Sequence, residues 1–240
     1  MKDPGANFVK SQVGRKLVYL DRQLAPYAPA LMVEIDRQLR SGAKGAGNKA
    51  TGYPVNVDGA PALFVRRSHR GGLMSFLGEI YIGFVPRMIY ELTVISEALK
   101  RGVPVAEPMG AIIENVAPAV YRGAIITKAI PGMTFWEFVQ NETDPRSLSH
   151  VVRMARYSID IMHEHGIFHD DLNMQNLFVS MAGDGFSVVI LDFDKAKVYS
   201  QALSKGQRKR NFKRLAQSIR KLDPEGKYLN DASLKILTSV

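Results

Sequence analysis

Two short polar stretches, each joined to an apolar run, constrain this chain more than anything else in its sequence. The first is His169-Asp170-Asp171-Leu172-Asn173-Met174-Gln175-Asn176, which leads into the apolar run 177–180. The second is Leu191-Asp192-Phe193-Asp194, which closes the apolar run 187–191 and places Asp192 sixteen residues after Asn176. Gly183-Asp184-Gly185 lies between the runs, so they read as a strand pair around a turn. Such a hairpin sets Asn176 and Asp192 at the ends of neighbouring strands.

The residue types at these positions suit one chemistry. The first stretch fits the H-x-D-L-x-x-x-N pattern of a kinase catalytic loop, and the second takes the D-F-G place with Asp194 in the glycine's position. Phosphoryl transfer asks little covalent work of a protein, which mainly positions groups and neutralises charge. Asp171 is therefore expected to orient an acceptor hydroxyl and take its proton. Asn176 and Asp192 are expected to hold Mg²⁺, as hard oxygen ligands beside the phosphates of ATP. His169 is expected to brace the loop by hydrogen bonding, while Asp194 either adds a metal ligand or caps the turn. Either stretch alone says little, since a solvated strand end can carry Asp-Phe-Asp. Their order and spacing, after a helix ending in His-Glu-His-Gly-Ile, carry the reading. His163, His165 and His169 do not make a zinc motif, because Gly166 interrupts the helix and no carboxylate–histidine pattern fits.

The nucleotide side is read from the first half. A kinase places a lysine on its third strand, paired with a glutamate on the next helix. Here the strand 62–65 delivers Arg66, and Glu91 lies on a helix predicted over 86–101 from Ile89, Leu92, Ile95 and Leu99, with Gly102 as its stop. Arginine can hold phosphates and pair with a carboxylate through a wider, planar fork. Arg67, Lys44 and Lys49 remain alternatives for that role. The stretch SGAKGAGN, with Gly42, Gly45 and Gly47, is either a cover over the phosphates or a plain flexible loop, because it falls short of G-x-G-x-x-G spacing.

Strands come first and helices after. Strands are predicted over 53–57 and 62–65, with a hairpin signal at Asp58-Gly59, and over 110–115 and 121–129. Helices are predicted over 31–39, 134–140, 148–165 and 207–222, the third with Val151, Val152, Ala155, Ile159 and Met162 as its inner face. The fold expected is α+β: a two-lobed, protein-kinase-like arrangement with a small β-rich N-lobe and a short, mostly helical C-lobe. Its divisions are an N-terminal extension over 1–40 without an assigned structure, a nucleotide-side lobe over 41–130, and a catalytic lobe over 131–240.

Composition narrows the setting. A hydrophobic share of 46% and a charged share of 23% are those of a globular protein. The absence of cysteine excludes disulfides and thiolate metal sites. The start is polar rather than signal-like, and no apolar run nears the roughly 20 residues of a membrane span, so a soluble or peripheral protein is expected. The net charge is +9, and six basic residues with no acidic one fall in KGQRKRNFKR, residues 205–214. A second basic group is Arg66, Arg67, His69 and Arg70. Such patches attract nucleic acid, anionic membrane or a phosphorylated substrate, unless they are simply a solvated helix face.

The chain resembles the lipopolysaccharide core kinases, and most closely the 3-deoxy-D-manno-octulosonic acid (Kdo) kinases. The stretches that carry the likeness are VRRSHRGGL, YELTVISEALKRGVPVAEPMGA, FHDDLNMQNLFV, ILDFDKA and, more weakly, NFKRLAQSIRKL. The resemblance implies catalysis by Asp171 with Asn176 and Asp192, and makes Arg66 a feature of the family. It departs at Asp170, where the family more often has a small or basic residue. It further implies ATP and Mg²⁺ as cofactors and a Kdo-bearing lipid A precursor as the acceptor. Its place would be the cytoplasmic face of the inner membrane, with the basic helix 207–222 docked on that anionic surface.

Other readings remain open on the sequence. The 48 residues after Asp192 hold no Ala-Pro-Glu signature, which favours a sugar or small acceptor over a peptide. A kinase of the same fold could act on a core heptose or another small molecule. A non-catalytic module binding nucleotide or anionic lipid would need none of Asp171, Asn176 and Asp192. Nucleic acid is not expected as a partner, because stacking aromatics interleaved with the basic residues are limited to Phe212.

Overall fold

In the computed structural model, which describes residues 5–40, 52–67, 80–83, 86–181 and 185–239 (of 38–40 the backbone alone), the chain starts with a hairpin. Strands β1 (Phe8–Val13) and β2 (Lys16–Asp21) pair antiparallel, and a 3-10 turn leads from them into helix α1 (Ala28–Arg40). Residues 5–40 thus supply an outer hairpin and a packed helix. The sequence hides the hairpin: β1 is exposed along nearly its whole length, and β2 buries Val18, Tyr19 and Leu20 in succession. Neither shows the in–out alternation that marks a half-buried strand.

Strands β3 (Gly52–Val55) and β4 (Leu63–Arg67) pair across the Asp58-Gly59 turn, and β5 (Tyr81–Ile82) follows. After helix α2 (Arg87–Lys100) come the long strands β6 (Pro108–Ala117) and β7 (Val120–Lys128). Together, among the described residues, these form one antiparallel sheet in the order β1-β2-β6-β7-β4-β3, with β5 also on β7. Its core gathers Leu24, Leu31, Ile35, Tyr53, Val55, Leu63, Val65, Ile112 and Ile126. Alternation along β4 buries Leu63 and Val65 in that core and turns Arg66 to the other face.

The described chain divides into two units: Met1–Ser96 with Glu107–Ala129, and Glu97–Ala106 with Ile130–Val240. In the last turn of α2, helical spacing puts Leu99 inside, whereas it is 42% exposed. The chain end explains this. Gly102 takes φ +79°, its N–H donates to Leu99 O, and the Val103 N–H donates to Ala98 O. This Schellman turn folds Val103 back over Ala98, and both are buried in place of Leu99.

The second unit opens with β8 (Gly132–Thr134) and α3 (Phe135–Asn141), started by a Thr134/Glu137 capping box. Asp144 caps α4 (Pro145–Glu164), whose inner face includes Val151, Val152, Ala155, Ile159 and Met162, all buried. Ser158 Oγ donates to Val188 O at 2.6 Å and ties α4 to the next sheet. Strands β9 (Ile167–Phe168), β10 (Leu177–Ser180), β11 (Ser187–Ile190) and β12 (Lys197–Val198) follow, then α5 (Lys205–Leu222) and α6 (Asp231–Thr238). Helix α5 begins two residues before its predicted start, where Ser204 and Gln207 form a second capping box. Gly166 stops α4 with φ +72°, and a Cβ there would lie 2.4 Å from Gln201 O, so only glycine fits.

Candidate active site

The position of the site follows from two ladders. β10 pairs with β11 in the register Leu177↔Ile190, and β12 pairs with β9 in the register Lys197↔Phe168. The stretch 169–176 runs from β9 to β10, and the stretch 191–196 runs from β11 to β12. Both connections therefore bridge the same two ladders and lie side by side. Two bonds join them: Leu191 N–H donates to Asn176 O at 2.8 Å, and His169 Nε2 lies 2.9 Å from Leu191 O. A carbonyl only accepts, so His169 carries its proton on Nε2, and Nδ1 accepts from the Asp171 N–H at 3.3 Å. The Phe193 ring packs on His169 with centroids 5.1 Å apart. His169 thus braces the loop by both ring nitrogens and one ring edge.

Within the loop, side-chain amides shape the backbone. Asn173 Nδ2 and Asn176 Nδ2 both donate to Asp171 O at 2.9 Å, and Asn173 Oδ1 accepts the N–H groups of Gln175 and Asn176. Both loop asparagines therefore hold Asp171 from behind, through its own carbonyl.

Asn176 and Asp192 stand at neighbouring strand ends. Because Asn176 spends its amide group on Asp171 O, its Oδ1 is the atom left to bind a cation. Asp192 adopts φ +65°, a left-handed backbone uncommon outside glycine, which stores strain at the turn. The pair fits a Mg²⁺ ion completed by substrate phosphates and water, since that ion takes few protein oxygens. Among the described residues no cluster of three or more His, Cys, Asp or Glu could hold a metal alone. Asp194 is half-buried in the turn that follows, where Ala196 N–H donates to Phe193 O at 3.1 Å.

Three contributors to the loop were missed in reading the sequence, and all sit on α5. Asn211 is buried, donates to His169 O at 2.7 Å and accepts from His169 N at 3.3 Å. Its Oδ1 also takes the Nε2 proton of buried His163 at 3.0 Å. Burial pushes His163 down to about 4, against the bond to Asn211; Arg208 and Arg156 add to the fall and Asp160 opposes it. Arg214 donates through Nε at 2.9 Å and through Nη2 to Asp171 Oδ1. Ser218 Oγ accepts from the Met174 N–H at 3.3 Å. Positions 211, 214 and 218 share one helix face, so α5 runs along the loop residue by residue. The basic run 205–214 is therefore no uniform solvated face. The signal was the stretch NFKRLAQSIRKL, whose polar residues border the buried Phe212, Leu215 and Ile219.

In the other unit, Arg66 Nη2 bonds Glu91 Oε1, joining β4 to α2. Glu91 is 2% exposed and the Arg66 side chain 29%. Arg67 is half-buried beside it. Gly42, Lys44, Gly45, Gly47 and Lys49, like His69 and Arg70, lie outside the described residues.

A model of the lipopolysaccharide kinase (Kdo/WaaP) family matches residues 64–232. The chain is similar to the 3-deoxy-D-manno-octulosonic acid kinase of Xylella fastidiosa, with 27% identity over 191 residues, 78% of this chain and 72% of that one. It is also similar to the enzyme of that name from Pasteurella multocida, with 26% identity over 162 residues, 65% of each chain. Among solved structures it resembles WaaP in complex with acyl carrier protein, with a TM-score of 0.56 and 17% identity, covering 92% of this chain and 86% of that one. That last likeness is one of fold. The α+β class expected from the sequence, β-rich first and mostly helical afterwards, is the fold observed.

Proposed function

Because the chain belongs to the lipopolysaccharide kinase (Kdo/WaaP) family, we propose that it transfers the terminal phosphoryl group of ATP to a hydroxyl of the Kdo residue on a lipid A precursor. The observation that carries the reading is the apposition of Asp171, Asn176 and Asp192 on two connections that bridge the same pair of ladders.

In the reaction the bond from the γ-phosphorus to its bridging oxygen breaks, leaving ADP. A bond from phosphorus to the sugar oxygen forms, and the hydroxyl proton passes to Asp171. Loop asparagines fix the Asp171 backbone, and before the acceptor enters Arg214 holds one carboxylate oxygen while the other is left for the acceptor hydroxyl. Asn176 and Asp192 would hold Mg²⁺, which neutralises charge on the phosphates when bound. Arg66, held by Glu91, would meet phosphate oxygens from the nucleotide side. The acceptor places the protein on the cytoplasmic face of the inner membrane as a peripheral protein; among the described residues no helix is long and apolar enough to cross a membrane.

The test is to incubate the purified protein with Mg²⁺-ATP and a Kdo-bearing lipid A precursor, with Asp171→Asn alongside, and to weigh the acceptor by mass spectrometry. An added phosphate that is lost in the variant supports the reading. No transfer to this acceptor rejects it: transfer to a heptose acceptor then reassigns the substrate. ATP binding without transfer to any sugar makes the chain a non-catalytic module.

A further inference from the structure

A cationic recess adjoins the catalytic loop. It measures about 510 Å³ and is lined by Phe168, Asp170, Lys195, Asn211, Gln217 and the basic side chains Arg210, Lys213 and Arg214. That volume is within the roughly 300–1,000 Å³ range of small-ligand sites. Positions 210, 213, 214 and 217 follow helical spacing, so α5 presents one stripe to the recess. Lys195 joins them from the turn after Asp192.

The charges around this recess do not cancel. Arg214 bonds Asp171, and Arg210 lies 3.9 Å from Asp170 with its guanidinium over the Phe168 ring at 5.1 Å. Among the described residues, Lys195 and Lys213 have no carboxylate partner. Four cations against two carboxylates leave an uncompensated positive field in a concave site, where field lines concentrate. Guanidinium forks at 210 and 214 suit two-oxygen anions, carboxylate or phosphate.

Position supplies the rest. An acceptor whose hydroxyl reaches Asp171 must lie beside this loop, and Arg214 joins Asp171 Oδ1 to the recess wall. We propose that the recess binds an anionic oxygen group of the acceptor, a carboxylate or phosphate close to the reacting hydroxyl. Lys195, Arg210 and Lys213 are its binding residues, and Arg214 exchanges Asp171 for that group as the acceptor enters. This assignment builds on the sugar-kinase reading above and names what selects the sugar. It also gives the basic helix a partner other than the bilayer.

The experiment measures steady-state phosphorylation and, without ATP, equilibrium binding of three acceptors, in neutral detergent micelles and again in anionic vesicles. These are the intact Kdo-bearing lipid A precursor, its Kdo methyl ester, and its dephosphorylated form. The proteins are the full chain, Lys213→Ala, Arg210→Ala and, as a charge-matched control outside the recess, Lys221→Ala. The first two variants are expected to raise the acceptor KM and Kd about tenfold, with the ATP KM and kcat within about twofold, while Lys221→Ala matches the wild type. The penalty should vanish on the methyl ester if the carboxylate is bound, or on the dephosphorylated acceptor if a phosphate is.

Equal penalties on all three acceptors, or none on any, overturn the proposal. So does a penalty seen only in anionic vesicles, which assigns the helix to the membrane. Wild-type binding without turnover fails the proposed reaction alone, because the binding arm still reads the recess. No acceptor binding by the wild type fails both.

Discussion

The two arginine–carboxylate pairs, Arg66–Glu91 and Arg214–Asp171, have the same chemistry and differ most in how deeply the carboxylate is buried. Glu91 is 2% exposed, whereas Asp171 is 27% and Arg214 52% exposed. Breaking an ion pair on a buried carboxylate is costly, so the first pair is fixed for as long as its unit is folded. The second is wet on both sides, contributes about 0–1 kcal/mol, and can be given up to a competing anion. One pair holds a strand to a helix. The other, on the reading proposed above, holds the catalytic carboxylate until the acceptor's anionic group replaces it.

Four changes probe that contrast. Asp171→Asn keeps the shape and removes the base, and should lower kcat about 10²–10⁴-fold while thermal unfolding stays nearly unchanged. A fall in kcat below tenfold would mean that Asp171 does not handle the proton. Next, Arg66→Ala strips Glu91 of its arginine and should cost about 3–5 kcal/mol in denaturant unfolding. A loss under about 1 kcal/mol would place that pair with the exchangeable one.

The third change is acid. The unfolded chain protonates His163 near 6.5, and the folded chain only near 4. Stability from this group is therefore full above about pH 6.5, declines as pH falls through the window, and levels off below about 4. The total is about 3 kcal/mol, and a His163→Gln variant should flatten that slope in unfolding curves. This sharpens the contrast within α5, whose buried face feels the titration through Asn211 while its exposed Arg214 does not. The smallest effect is expected from Arg214→Ala, under about 1 kcal/mol in unfolding free energy. A loss comparable to that of Arg66→Ala would show the pair to be structural.

Legibility in the sequence tracks distance along the chain. The loop 169–176 and the turn at Asp192 were readable because their spacing is local and one hairpin juxtaposes them. The inner face of α4 was readable because five apolar residues keep helical period. The two-residue strands β9 and β12 carry no periodicity, yet they make both connections bridge the same ladders. Asn211 and Arg214 lie 42 and 43 residues from their loop partners, within a run whose charge suggested a surface. Charge counts in sequence carry no direction, and only the packing of Phe212, Leu215 and Ile219 turns Arg214 toward Asp171. Leu99 failed for a similar reason, since periodicity does not see the Schellman turn that covers Ala98.

The Asn211 clamp also fixes when the site can be completed during synthesis. The residues proposed to handle the proton and the metal ion have all been synthesised by Asp192, but the His169 peptide is not held on both sides until α5 follows. A chain that ends before Ser204 keeps Asp171, Asn176 and Asp192 and lacks the helix that aligns them. Ending there would yield a protein with its reactive groups present and its catalytic loop untethered.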